Sequence, residues 1–259
     1  MNTLVSPEIG RTTGLAAAST APLPPLLDVT SIRVAHGDVD TLRDVSLQVH
    51  PGELVAILGA NGAGKTTLLR ALSGLLPPHA GSVSFAGNPM AGATPHHIAR
   101  SGLVHVPEGR GVLPELTVWE NLRLGMVMHG WRGRGEELDR VYALFPILKA
   151  RSAGLAGMLS GGEQQMLSIA RSLLCRPKLL MVDELSLGLS PKITLELMAL
   201  LARISRTGPT VLIVEQNAQQ ALQFADRIYV LAQGRIALSG SSTEMARDPN
   251  LLAAYLGQA

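Results

Sequence analysis

Residues 59–67, GANGAGKTT, place three glycines, a lysine and a threonine at the spacing G-x-x-x-x-G-K-[ST], after an apolar run, LVAILG, and before a helix-forming stretch. That pattern can do one specific thing. Gly59, Gly62 and Gly64 let the chain curl through Ala60, Asn61 and Ala63, so that backbone N–H groups point at phosphate oxygens. The helix that follows adds partial positive charge at its N-terminus. Lys65 reaches the β- and γ-phosphates, the Thr66 hydroxyl ligates Mg2+, and Thr67 closes the phosphate-binding stretch.

A second stretch, MVDELSLGL (181–189), raises the complementary question. An apolar run ends in two adjacent carboxylates, Asp183 and Glu184, whose burial is costly and whose charges repel. In an open α/β sheet, ligands bind beyond the carboxyl ends of the strands. Asp183 at such an end is neutralised by a Mg2+ held on nucleotide phosphates. Glu184 points elsewhere and orients or deprotonates the attacking water.

The surrounding pattern supplies the elements that position these residues. LLDVTSIRVA and TLRDVSLQV alternate as strands, LVAILG is an apolar strand, and a helix is expected from about Lys65 to Leu75. GSVSFAG reads as a strand, a helix follows near 95–101, and GLVHVP is the next strand. From Glu108 to Arg176 the pattern turns helical, which implies an inserted helical subdomain at about 108–176. KLLMVD, PKITLELMALLARIS, TVLIVE, NAQQALQFAD and RIYVLAQGRIALSG then alternate strand and helix. Such alternation implies a parallel sheet with helices on both faces.

Composition excludes several classes. A net charge of +2 is too small to argue for nucleic acid, and mean hydropathy is positive without any long apolar run. Stretches such as LVAILGA are far short of the ~18 to 20 residues of a membrane span. Cys175 is the only cysteine, so there is no internal disulfide or thiolate metal cage, and the seven histidines lack zinc-ligand spacing. Residues 1–25, rich in Ala, Ser, Thr and Pro, read as a disordered leader without the basic-then-apolar order of a secretion signal.

A third motif makes a resemblance specific. MLSGGEQQMLSIARSL, beginning at Met158, falls between GANGAGKTT and LLMVDE, and GLSP and TVLIVEQN follow in order. Over residues 26–259 the chain resembles an ATP-binding cassette of the ABC type. VPEGRGVLPELTVWENL (106–122), VEQNAQQALQFADRIYVL and AYLG narrow it toward the cassettes of branched-chain amino-acid importers, and within them toward the second of the two different cassettes such systems use. The resemblance implies an α/β fold, a P-loop NTPase ABC cassette with a parallel-sheet core, an N-terminal antiparallel β subdomain and an inserted helical subdomain. It implies ATP and Mg2+ as ligands, with hydrolysis powering uptake of branched-chain amino acids or of related small polar solutes such as urea, amides or aromatic acids. It also implies partners: a second cassette, different from this one or a second copy, two transmembrane permeases, and indirectly a periplasmic solute-binding protein. The place of action is then peripheral, on the cytoplasmic face of the bacterial inner membrane. Ser160, Gly161 and Gly162 would complete the ATP site of the opposite cassette, at a second helix N-terminus.

The chain departs from the common cassette pattern at four positions. Glu108 stands where glutamine is usual, adding charge near Mg2+. Gln216 replaces a histidine; it can hydrogen-bond a γ-phosphate but cannot take a proton at neutral pH. The resulting expectation is a site slower than its partner's. Leu185 replaces a proline and is expected to loosen Glu184. His36 takes the place of the aromatic residue that stacks on adenine. Val112, Leu113, Leu116 and Trp119 form either a patch for a permease helix or part of the subdomain's own core. Two rival readings, a soluble repair or translation ATPase and a non-catalytic nucleotide-binding module, fit less well: the interval between motifs lacks sustained heptads, and Glu184 has no purpose in a dead site.

Overall fold

The computed structural model describes residues 24–37, 39–109, 111–127 and 135–251. Residues 1–23 of the expected leader (1–25) and the AYLG match at 254–257 lie outside them.

The chain enters through a long hairpin, β1 (Leu27–His36) and β2 (Val39–Val49). Its inward positions are apolar, Leu27, Val29, Ile32 and Val34 on one strand and Leu42, Val45, Leu47 and Val49 on the other. β3 (Leu54–Leu58) follows, wholly buried, and leads into α1 (Lys65–Leu72). This helix is shorter than expected, because Gly74 at φ 73° turns the chain and lets the Leu75 N–H donate to the Arg70 carbonyl. β4 (Ala80–Phe85) and the two-residue β5 (Asn88–Pro89) complete an antiparallel sheet in the order β2-β1-β4-β5.

α2 (Pro95–Ser101) starts at an N-cap, Thr94, with proline in its first turn, and β6 (Leu103–Val106) follows. Helical structure then begins at Val118 rather than at 108. α3 (Val118–Val127), α4 (Gly135–Leu144), α5 (Pro146–Ala150), a 3-10 turn at Ala156–Met158 and α6 (Gly161–Leu173) occupy the interval. The stretch before α3 is held as a loop by the buried Asn121, which accepts from the Leu113 N–H at 2.9 Å and donates to the carbonyls of Leu113 at 2.9 Å and Thr117 at 3.0 Å.

β7 (Leu179–Asp183), α7 (Pro191–Thr207), β8 (Thr210–Glu215), α8 (Ala218–Phe224), β9 (Arg227–Ala232), β10 (Arg235–Ser241) and α9 (Ser242–Met245) close the fold. Six strands form the main sheet, β10-β9-β3-β8-β7-β6, parallel except for β10. Its central strands are apolar on both sides, as a sheet covered on both faces requires. Leu54, Ala56 and Leu58 face α7, α8 and the α3–α6 interval, while Val55 and Ile57 face α1 and the antiparallel sheet. So the expected helices on both faces are present, with the antiparallel sheet sharing one face with α1.

Candidate functional site

The sheet order decides what meets what. β3, β8, β7 and β6 are consecutive neighbours, and their carboxyl ends release the glycine-rich loop, Gln216, Asp183–Glu184 and Glu108 on one edge. Leu58 pairs with Glu215, and Asp183 with Val214, so these exits are level. A cavity of about 520 Å³ opens there, lined by Thr41, Asn61, Gly62, Gly64, Lys65, Thr66, Thr67, Glu108, Glu184, Leu187 and Gln216.

The loop conformation requires its glycines. Gly64 is left-handed at φ 105°, and a Cβ there would stand 2.7 Å from Leu42 Cδ2. A Cβ at Gly59 would meet the Leu231 carbonyl oxygen at 2.5 Å. No side chain caps the start of α1, so the first-turn N–H groups are left for a ligand at this edge. Gly59, Ala60 and Ala63 shape the loop from behind the lining.

Lys65 is nearly buried; its Nζ donates to the Ala60 carbonyl at 3.1 Å and lies 3.5 Å from Glu184 Oε1. Gln216 Nε2 donates to the same Glu184 oxygen at 2.7 Å. Asp183 is different: it is 1% exposed, and neither carboxylate oxygen has a hydrogen-bond partner. Burial pushes its carboxyl up to about 6; the Thr66 hydroxyl pulls it down without reaching ordinary hydrogen-bond geometry, the charges of Glu184 and Glu108 add to the rise, and Lys65 opposes it. Two orphaned oxygens facing a hydroxyl are what a hard cation needs on its protein side. Among the described residues there is no cluster of three or more metal-ligating side chains. The unpartnered Asp183 oxygens beside the Thr66 hydroxyl suit Mg2+, which typically takes one or two carboxylates and completes its shell with phosphate and water.

Other expected residues lie elsewhere. His36 is exposed at the end of β1 and is not in the lining; Thr41, on the neighbouring strand, is. Ser160, Gly161 and Gly162 line a separate cavity of about 500 Å³ that shares no residue with the first. Ser160 caps α6 in a reciprocal box, its backbone N–H donating to Glu163 Oε2 at 2.8 Å and its hydroxyl accepting from the Glu163 N–H. Within one chain, then, the starts of α1 and α6 lie on separate cavities.

Leu185 is 1% exposed in the main core, so its side chain fills space there. Glu184 donates its N–H to the Val214 carbonyl at 3.0 Å, and Ser186 is bound to Glu215. Of the apolar set near 112–119, Val112 packs on the core, while Leu113 and Trp119 are exposed, with Arg123 over the Trp119 ring at 4.5 Å. Sequence reasoning missed Thr41, Leu187 and Glu215. An acid ending the apolar strand TVLIVE was the available signal for the last.

Comparison with known proteins agrees with this geometry. The ABC transporter family profile matches residues 42–186. The chain is 43% identical over 232 residues to the high-affinity branched-chain amino acid transport ATP-binding protein BraG of Pseudomonas aeruginosa, covering 90% of this chain and 100% of that one. BraF of the same organism, which carries the same description, is 32% identical over 91% of this chain and 99% of its own length. Among solved structures, a nucleotide-free ATP-binding cassette from an ABC transporter aligns with a TM-score of 0.80 at 26% identity, covering 90% of this chain and 100% of that chain. The ADP conformation of an ABC transporter cassette aligns with a TM-score of 0.78 at 27% identity, covering 90% and 98%.

Proposed function

The chain belongs to the ABC transporter family, and we propose that it is an ATP-hydrolysing cassette powering uptake of branched-chain amino acids or related small polar solutes. One observation carries the mechanism: Lys65, Thr66, Glu184 and Gln216 converge on a single cavity above a buried Asp183 whose two oxygens are unpartnered. The N–H groups of the glycine-rich loop and of the first turn of α1 bind the phosphates, and Lys65 moves from Glu184 to the β- and γ-phosphates. Asp183 and Thr66, with Glu108 at the rim, would hold Mg2+. When bound, the cation neutralises phosphate charge in the transition state. Glu184, released by Lys65, takes the proton of the attacking water. Gln216 hydrogen-bonds Glu184 or the γ-phosphate, but as an amide it relays no proton. This supports a site slower than its partner's. His36 remains a proposed base contact on the hairpin that also supplies Thr41.

Because Ser160, Gly161 and Gly162 lie on a separate cavity, the ATP site is incomplete in one chain; the signature helix of a second cassette completes it, head to tail. The occurrence of both BraG and BraF in one organism favours a different chain as that partner. Among the described residues no helix is long and apolar enough to cross a membrane. The likeness to transport ATP-binding proteins supports two permeases that supply the pathway, with the cassette on the cytoplasmic face of the inner membrane. Exposed Leu113 and Trp119 suit a permease contact. A periplasmic binding protein selects the solute.

The test is ATP hydrolysis by the cassette pair with its permeases, with solute-loaded binding protein added. The expectation is stimulated, magnesium-dependent hydrolysis that falls by about 10²–10⁴ in Glu184→Gln, the range for loss of a general base. Equal rates in the variant would leave only a nucleotide-binding role.

A further inference from the structure

β8 runs apolar from Val211 to Val214 and ends in Glu215, whose side chain is 0% exposed. A carboxylate at that depth is costly without partners, and among the described residues it has no ion pair. Its partners are instead three donors. Oε1 accepts from the Ser186 N–H at 3.0 Å; Oε2 accepts from the Ser186 hydroxyl at 2.7 Å and from the Gln216 N–H at 3.3 Å. Those donors belong to the two segments that carry Glu184 and Gln216. Burial pushes the Glu215 carboxyl up and the three donors pull it back, as they would if they served the charged form.

The bonds form a closed circuit. Glu184 leads through Leu185 to Ser186; Ser186 is held by Glu215; Glu215 leads to Gln216; and Gln216 Nε2 returns to Glu184 Oε1 at 2.7 Å. Glu184 itself sits at φ 44°, in the left-handed region that a non-glycine residue occupies only when its surroundings hold it there. The end of β8 supplies both holds. The Val214 carbonyl takes the Glu184 N–H at 3.0 Å on one side, and Glu215 takes both Ser186 donors on the other. Glu215 is fully buried and is not part of the cavity lining.

We infer that Glu215 is a positioning residue for hydrolysis: its carboxylate clamps the turn after Glu184 to the strand bearing Gln216 and so fixes the base relative to the γ-phosphate. The inference rests on the proposed role of Glu184. A neutral amide at Glu215 keeps the volume but presents N–H to one of the donors, so the clamp opens while the phosphate-binding loop is untouched.

The experiment uses the assembled transporter, with ATP turnover and the affinity for a fluorescent ATP analogue measured together. Loss of a hydrogen-bonded charge predicts that Glu215→Gln lowers kcat about 10- to 100-fold while analogue affinity changes less than about twofold. Ser186→Ala removes only the hydroxyl donor, leaves the fold's core intact, and should lower kcat about three- to tenfold, again without loss of affinity. It decides the matter if Glu215→Gln fails to fold. The double variant should be no slower than Glu215→Gln alone, because both act through one contact. Turnover within twofold of wild type, affinity falling in step with kcat, or additive losses in the double variant would overturn the inference. If Glu184→Gln abolishes turnover while Glu215→Gln and Ser186→Ala do not, this inference fails alone; if Glu184→Gln has no effect, the reading beneath it fails first.

Discussion

Replacing Asp183 by asparagine tests whether the acid beneath the cavity is held at an energetic disadvantage until a cation arrives. Its carboxyl is raised from an ordinary 3.8 to about 6, chiefly by burial. A carboxyl whose folded value is raised contributes stability below its ordinary value and loses it as pH rises through about 6, the reverse of a salt-bridged aspartate. The two values give a destabilisation of about 1–2 kcal/mol near pH 5 and about 3 kcal/mol near pH 8, a change of about 1–2 kcal/mol. Asp183 is almost wholly buried, so solvent screening removes little of this. Urea unfolding of the full chain without nucleotide, at about pH 5 and about pH 8, reads the effect. Titrating groups away from the cavity contribute equally to both proteins, so the wild type should lose about 1–2 kcal/mol more than Asp183→Asn over that interval. Adding Mg2+ with a non-hydrolysable ATP analogue should stabilise the wild type more than the variant. Parallel pH dependences, or equal stabilisation by the metal–nucleotide pair, would refute the picture of a buried acid awaiting a cation.

Three substitutions probe other parts of the site. In Gly64→Ala, the left-handed backbone and the contact with Leu42 at 2.7 Å should weaken nucleotide binding roughly tenfold or more, since that conformation costs an L-residue about 1–2 kcal/mol; an analogue titration checks it. Leu185→Ala should destabilise the chain by about 2–5 kcal/mol in urea unfolding, because Leu185 is core rather than a surface substitute for proline. Gln216→His should raise turnover in the assembled complex and add an acid limb near the imidazole value of about 6.5; an unchanged rate and pH profile would remove the case for a slow site.

What was legible in the sequence, and what was not, divides along physical lines. The glycine-rich loop could be read because its glycines answer to backbone geometry: Gly64 needs φ 105° and space that a Cβ would fill. Strand existence was legible in the apolar runs, and the convergence of Asp183, Glu184 and Gln216 followed from strands ending on one edge. Partnerships across the chain left weaker traces. Thr41 enters the lining because its hairpin folds over the loop, and nothing in the local pattern of β2 marks it. The start of helix at Val118 follows from Asn121 reaching back eight residues to hold the preceding loop at Leu113, a side-chain bond that hydrophobic periodicity does not register. Leu185 was read by what it lacks, a proline ring, while its side chain acts by filling the core. His36 was read from the resemblance alone, and it lies outside the lining of the cavity on the hairpin that also carries Thr41.

The central claim is that a nucleotide's phosphates occupy the cavity at the carboxyl edge of β3, β8, β7 and β6, gripped by Lys65. Titration of a fluorescent ATP analogue with Mg2+ into the full chain and into Lys65→Ala tests it most directly. Lys65 is nearly buried and within 3.5 Å of Glu184, poised for exchange onto phosphate. Loss of one charge-assisted contact predicts affinity at least about tenfold weaker in the variant. Equal affinity in the two proteins would contradict it.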